Sequence, residues 1–261
     1  MSMTLIDPDF YIQCLNHHRE VRDLDFVVTN SLPIPYFGDV AAYAASPLKV
    51  LTAALNPSGE EFPVRDPRFD VAGGLLGANE LEAELNNYFR CRPYRWFRSF
   101  EPVLNGLGAS YGGKMANDEY PNTALHLDMC SPIATSPTWS KLSRHQRTKL
   151  TPTGREIFEW LVDALKPDII IASLGWSHIE CWHTDFHTGR HWESILAYGT
   201  AFNGTPLRAP LRVQANCLRS RMNHSYIFVN GSAANTPFGR FHDERKLVVG
   251  RELLQRLGQA T

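Results

Sequence analysis

The run Asp168 to Leu174, DIIIASL, sets Ile169, Ile170 and Ile171 in a row with no polar residue between them. A strand with one wet face alternates apolar and polar positions. An unbroken β-branched run is what a strand covered on both faces needs, and parallel sheets sandwiched between helices are where such strands occur. A cover lies just upstream. From Thr151-Pro152, the residues Ile157, Phe158, Leu161, Val162 and Leu165 recur at helical spacing, and Pro167 ends the helix.

The remaining elements follow the same rules. Asp7-Pro8 caps a helix running to about Leu24. Leu48 to Leu55 is a first strand, Glu80 to Phe89 an acidic helix opening at Asn79, and Tyr94 to Leu107 a further helix. Asn122 to Met129 reads as a second strand. Ser194 to Phe202 and Leu211 to Leu218 form a hairpin around Asn203-Gly204, Ser225 to Val229 is the last core strand, and His242 to Leu257 a closing helix. This order predicts a three-layer α/β/α fold with a central, mainly parallel, four-stranded sheet. With no internal repeat or low-complexity linker, residues 1–261 read as one domain. Residues 1–47 form a helical extension of it, and 60–95 and 176–222 are insertions.

Sites in such sheets lie beyond the carboxyl ends of the strands. Those ends carry Asn56, Asp128, Gly175 and Asn230. At the first of them the strand runs straight into Asn56-Pro57-Ser58-Gly59, where Pro and Gly force a turn that holds one amide side chain.

These stretches together resemble the uracil-DNA glycosylase superfamily, nearest its mismatch-specific and single-strand-selective branches, which carry an N-P-G turn after the first strand. Here the turn reads LNPSGEEFP, with Ser58 in place of the usual glycine. LHLDMCSPI resembles the N-x-C-P stretch of the single-strand-selective branch, with one extra residue before the proline. IFVNGSAANTPFG resembles the H-P-S or N-P-S loop that presses into DNA, with Gly231 where the family prefers proline. Order and spacing agree over Leu48 to Leu257.

The resemblance implies a DNA base glycosylase that extrudes a nucleotide from its stack and hydrolyses the bond between sugar and base. It makes Asn56 the residue that positions the water; by itself the same amide would serve as a turn cap. Glu60 and Glu61 lie close enough to supply a base, or are solvated loop carboxylates. Phe62 falls where the mismatch-specific branch stacks an aromatic on the flipped base, or else packs in the core. Asn230 is placed against the base O2 as a donor to the departing anion, with Gly231 and Ser232 near the flanking phosphate. Arg219, Arg221 and Arg240 flank that loop as phosphate partners.

Asp128 departs from the pattern. Uracil-reading relatives have asparagine there, which donates to O4 and accepts from N3–H; an ionised carboxylate only accepts. It suits the exocyclic amine of cytosine, unless it is a structural acceptor of backbone amides or a one-residue slip brings His126 or Met129 into the pocket instead. Ser58 and Gly59, following Pro57, leave room at C5 where classical uracil enzymes place a tyrosine. A 5-substituted cytosine fits both departures, and the superfamily includes antiviral bacterial enzymes that remove glucosylated hydroxymethylcytosine from phage DNA. Two other readings share these residues: an ordinary uracil or damaged-base glycosylase, and a module that holds flipped bases without chemistry.

The net charge of −1 supplies no global field toward nucleic acid, so DNA binding must come from a local patch. FRCRPYRWFRSF sets Arg90, Arg92, Arg95 and Arg98 among aromatics, as a DNA grip or as a helix with a buried aromatic side. His183, His187 and His191 recur every four residues after His178, but Gly189 interrupts a helical metal face, and a histidine-rich surface loop, with a metal hydrolase as the remote alternative, is expected. Five scattered cysteines without a C-x-x-C pair predict neither an iron–sulfur cluster nor a disulfide framework. No cofactor, no membrane partner and a cytoplasmic location complete the expectation.

Overall fold

The computed structural model describes residues 5–63, 68–69, 77–116, 119–183, 192–201, 203–231 and 236–260. The chain is α/β. Helix α1 (Pro8–Val21) starts at Asp7, whose carboxylate accepts from the Asp9 amide, with proline in the first turn. β1 (Tyr36–Phe37), α2 (Val40–Ala45) and β2 (Val50–Ala54) follow, then α3 (Ala78–Asn87) and α4 (Glu101–Gly106). β3 (Ala109–Ser110) and β4 (Asn122–Thr123) make a separate two-stranded sheet. β5 (Leu125–Asp128), α5 (Arg144–Leu165), β6 (Ile169–Ala172) and α6 (Trp176–His183) come next. β7 (Glu193–Thr200), β8 (Pro206–Arg219), β9 (Ser225–Asn230) and α7 (Asp243–Ala260) complete the chain.

The main sheet has seven strands in the order β1-β5-β2-β6-β9-β8-β7, not four. Within it β5, β2, β6 and β9 are mutually parallel, with Ala53 opposite both Leu127 and Ala172, and Ala172 opposite Asn230. β1 adds antiparallel to β5 at one edge, and β8 and β7 add antiparallel beyond β9 at the other. The sheet is therefore mixed. Residues 193–219 are continuous with it rather than an appendage, because β8 pairs with β9 from Gln214 to Arg219.

All four residues of β6 are buried, as its apolar run requires. Burying each isoleucine contributes roughly 1.5–3 kcal/mol. Above them α5 buries the expected stripe of Ile157, Phe158, Leu161, Val162 and Leu165, but it begins about two turns before Thr151. A capping box, Ser143 with Gln146, starts it, and Pro152 lies inside, costing one intrahelical bond that the buried residues on either side offset.

Two expected elements are broken. The helix over 94–107 divides into a 3-10 turn, Arg95–Ser99, and α4, because Pro102 is accommodated only in a first turn. The strand over 122–129 divides at Ala124, whose amide donates to Ser110 O in the small sheet. α4 and α7 pack at a glycine pair. A Cβ on Gly106 would lie 2.8 Å from Gly250 Cα, so only the absence of side chains lets the two backbones approach this closely.

Candidate active site at the carboxyl ends of the parallel strands

Three of the parallel strands end around a cavity of about 540 Å³, within the range of small-molecule sites. Asn56, Pro57 and Ser58 after β2, Asp128 at the end of β5, and Ser173, Leu174 and Gly175 after β6 all line it. Exposed Thr138, Ser140, Ser177 and Thr236 form its rim.

Backbone bonds hold these ends together. Ladder pairing continues past β2 and β5 through Met129 N to Ala54 O, Cys130 N to Leu55 O and Thr135 N to Pro57 O. Asn56 adds a side-chain tie: Nδ2 donates to Ile133 O at 3.1 Å and to Thr135 Oγ1 at 2.9 Å. A carbonyl oxygen can only accept, so Ile133 fixes which end of the amide is nitrogen. Both amide hydrogens are used, and Oδ1 remains as an acceptor in a cavity-lining residue. Asn56 is thus a turn brace and an oriented acceptor at once.

Asp128 is buried, its side chain only 2 % exposed, and Oδ1 has no hydrogen-bond partner. Burial raises its carboxyl above the usual range, with His126 opposing. His126 stands two residues earlier on the same strand face and also lines the cavity, its Nε2 3.7 Å from Asp128 Oδ1. Both residues contribute, so Asp128 enters without displacing His126. Among the described residues no backbone amide bonds the carboxylate, as a structural acceptor would require.

Glu61 is the second acid in the cavity. It is buried, not solvated; only Glu60 is exposed. Tyr88 Oη donates to Glu61 Oε2 at 2.5 Å, and Arg68 Nε stands 3.8 Å from the same oxygen. Burial pushes the Glu61 carboxyl up to about 7, against the pull of Tyr88 and Arg68.

The aromatic wall differs from expectation. Phe62 is half-buried, stacked on Phe69 at 5.5 Å, and does not line the cavity. Tyr94, Trp96, Phe97 and Phe100 do, with Phe37 and Trp139. In the segment read either as a DNA grip or as a packed helix, Tyr94, Trp96, Phe97 and Phe100 wall the cavity and Arg90, Arg92, Arg95 and Arg98 are exposed. Arg90 is paired with Asp39 at 2.5 Å.

Ser58 caps the following turn by accepting from Glu60 N at 3.2 Å, and Gly59 packs beside Val28 without lining the cavity. Asn230 does not line the cavity either. Its Oδ1 accepts from Leu174 N at 2.9 Å and its Nδ2 donates to Leu174 O at 3.2 Å, so a buried amide copies a peptide and fixes the backbone that follows β6. Direct contact with a base is thereby corrected to a supporting position. A Cβ on Gly231 would meet the Phe238 ring at 2.5 Å, which accounts for glycine where the resemblance expects proline. Ser232 lies outside the described residues.

Arg219 and Arg221 are not at this site. Arg219 is paired across the ladder with Ser225, at the amino end of β9, about 17 Å from Asn230 at ~3.4 Å per residue. Arg221 forms an ion pair with Glu159 of α5. Arg240 is exposed, three residues beyond cavity-lining Pro237. His178 lines the cavity, held below its usual pKa by burial and by Arg147, whereas the His183 side chain, His187 and His191 lie outside the described residues. Among the described residues no group of three or more His, Cys, Asp or Glu is placed to hold a metal, and no helix is long and apolar enough to cross a membrane.

No protein-family model, no curated protein and no solved structure matches this chain. What the site can do must be read from its own chemistry.

Proposed function

We propose that this protein is a monofunctional DNA glycosylase of the uracil-DNA glycosylase type. It hydrolyses the N-glycosidic bond of a flipped, modified cytosine and leaves an abasic site. The observation that carries the reading is the placing of Asn56, Asp128 and Glu61 in one aromatic-walled cavity at the carboxyl ends of parallel strands.

Each group has a role in that reaction. The base stacks on the Trp96 side of the cavity. Asp128, a cavity-lining carboxyl, meets the base edge that carries the exocyclic amine. Asn56 Oδ1 accepts a hydrogen from the attacking water and directs a lone pair toward the sugar carbon. Glu61, titrating about 7, takes the proton that this water loses. The electrons of the broken bond pass to the departing base. No lysine lines the cavity among the described residues, which favours water over a Schiff base as the nucleophile. Asn230 acts at one remove, by fixing Leu174. The cavity volume exceeds what a pyrimidine ring fills, so a 5-substituent as large as the glucose of glucosylated hydroxymethylcytosine in phage DNA is the candidate substituent.

The test is base release from matched oligonucleotides carrying uracil, cytosine, hydroxymethylcytosine or its glucosylated form, with free base identified by mass. Release of a modified cytosine, and a shift toward uracil in Asp128→Asn, is the expected result. Release of uracil alone by the parent protein would remove Asp128 from amine reading and make the enzyme a uracil-type repair glycosylase. One observation favours a binding module: the Asn230 amide, expected to donate to the departing anion, is engaged with Leu174 instead. Base binding by the parent protein without release from any substrate would decide for it.

A further inference from the structure

Behind Asp128 lies a chain of buried polar groups that the proposed reaction does not use. Tyr111 Oη is 2.5 Å from Thr52 Oγ1, and Thr52 Oγ1 is 2.7 Å from His126 Nδ1. Tyr111, Thr52 and His126 are all buried, and the His126 ring is enclosed by Phe37, Trp96, Phe97 and Phe100 at 5.0–5.9 Å.

Counting hydrogens along this chain gives it a direction. Tyr111 makes its hydroxyl contact with Thr52, so its hydrogen goes to Thr52 Oγ1. The single hydrogen of Thr52 then has two acceptors, His126 Nδ1 at 2.7 Å and Leu125 O at 3.4 Å, and the shorter contact takes it. With Nδ1 accepting, the ring N–H is on Nε2, facing Asp128 Oδ1 at 3.7 Å.

We infer that His126 is a positioning residue for Asp128. It reserves the sealed Oδ1 as the accepting oxygen, so the carboxyl hydrogen has a fixed place on Oδ2 toward whatever enters the cavity. The inference rests on the reading of Asp128 as a base contact. A proton carried by Asp128 then sits on Oδ2, because Nε2–H opposes one on Oδ1. Oδ1 is sealed from the cavity, so the ligand edge that fits is a ring nitrogen that accepts from Oδ2, the N3 of cytosine. Uracil in the same pose sets N3–H against Oδ2–H, donor to donor. Without His126 the carboxyl proton is free to exchange oxygens, and uracil is accommodated. Glu61 and Tyr111 are the other titratable groups acting on Asp128; the Tyr111 hydroxyl is taken up with Thr52, and Glu61 Oε2 accepts from Tyr88.

The test is calorimetric titration of the full chain with 1-methylcytosine and 1-methyluracil, at one pH, in the parent protein and in His126→Phe, His126→Gln and Thr52→Val. The parent is expected to bind 1-methylcytosine about tenfold or more tightly than 1-methyluracil. His126→Phe keeps an aromatic ring in the cage and should bring the two ligands within about threefold, and His126→Gln, which retains an N–H donor, should recover part of the preference. A folded His126→Phe protein with the parent's preference overturns the inference. Should that variant fail to fold, Thr52→Val decides, since an unchanged preference there removes the hydroxyl chain from specificity. Equal binding of the two ligands by the parent is a different failure, of Asp128 as a reader of the base edge. A parent that binds neither base overturns the inference and leaves the base-release assay to judge the glycosylase.

Discussion

Asn56 Nδ2 donates to Thr135 Oγ1 at 2.9 Å, joining the turn after β2 to the loop after β5. A second hydrogen from the same nitrogen goes to Ile133 O, so the amide cannot rotate without losing both. Its oxygen inherits that rigidity.

Asn56→Ala should therefore lower single-turnover base release by about 100-fold or more, while costing about 1–2 kcal/mol of stability. Thr135→Val, which touches the brace and not the cavity, should cost about 1 kcal/mol and lower turnover less. Chemical denaturation beside the release assay separates the two effects. Equal loss of activity in both variants would reduce Asn56 to a structural cap.

Glu61 gives the reaction a pH dependence. A general base works only when ionised, so the rate should rise about tenfold per pH unit below about 7 and level off above it. Glu61→Gln keeps an acceptor for Tyr88 and removes the titration, so its profile should be low and flat in that range. An inflection that survives in Glu61→Gln belongs to another group.

Charge at the two ends of the sheet should behave differently toward DNA. Arg95 and Arg98 are exposed beside the aromatic wall, whereas Arg219 is at the amino end of β9. Alanine at Arg95 or Arg98 should weaken oligonucleotide binding and reduce the slope of log affinity against log salt by about 1 each, with no change for Arg219→Ala. Titrations at several salt concentrations measure this, and a loss confined to Arg219→Ala would move the interface to the opposite end.

Glu101 offers a test of stability apart from the cavity. It is buried, accepts from Tyr111 N at 3.0 Å and Ser110 Oγ at 3.2 Å, and is pushed up to about 7 by burial. An acid whose pKa is higher folded than unfolded favours the fold while protonated, and stability is lost as pH rises from the unfolded value toward 7. Glu101→Gln does not titrate. Its stability relative to the parent should be higher at pH 8 than at pH 5, by up to about 3 kcal/mol, as chemical denaturation at the two pH values measures. A difference independent of pH would mean that the carboxyl is already ionised in the fold at acid pH.

Periodic features were legible and pairings were not. The Ile169–Ile171 run, the α5 stripe and the Asp7 cap each depend on neighbours within a few residues, and the structure has them where the sequence puts them. β1 escaped notice because two residues carry no period, and it exists only because Tyr36 and Phe37 find the free edge of β5. Pro152 pointed to a helix start, but the capping box at Ser143 and the buried residues on either side outweighed one missing hydrogen bond.

The site divides in the same way. Asn56, Pro57, Ser58 and Asp128 were visible because each follows directly from where a strand must stop, and all four line the cavity. His126 had a signal, its place two residues before Asp128 on one strand face, that only the geometry made meaningful. Glu61 and Phe62 are adjacent in sequence, and the choice of which one turns into the cavity was made by Tyr88 and Phe69 from elsewhere in the chain.

By itself the sequence determined that the chain is α/β, that an Asn-Pro turn ends one central strand and that an acid ends another. Backbone stereochemistry and apolar period suffice for this, because both act over a few residues. Only the tertiary structure decided that Asn230 braces Leu174, that Arg219 and Arg221 face away, and that Asp128 is backed by His126, Thr52 and Tyr111. Those outcomes depend on which groups are left unpaired once the sheet has closed, a property of the whole packing that no single stretch encodes.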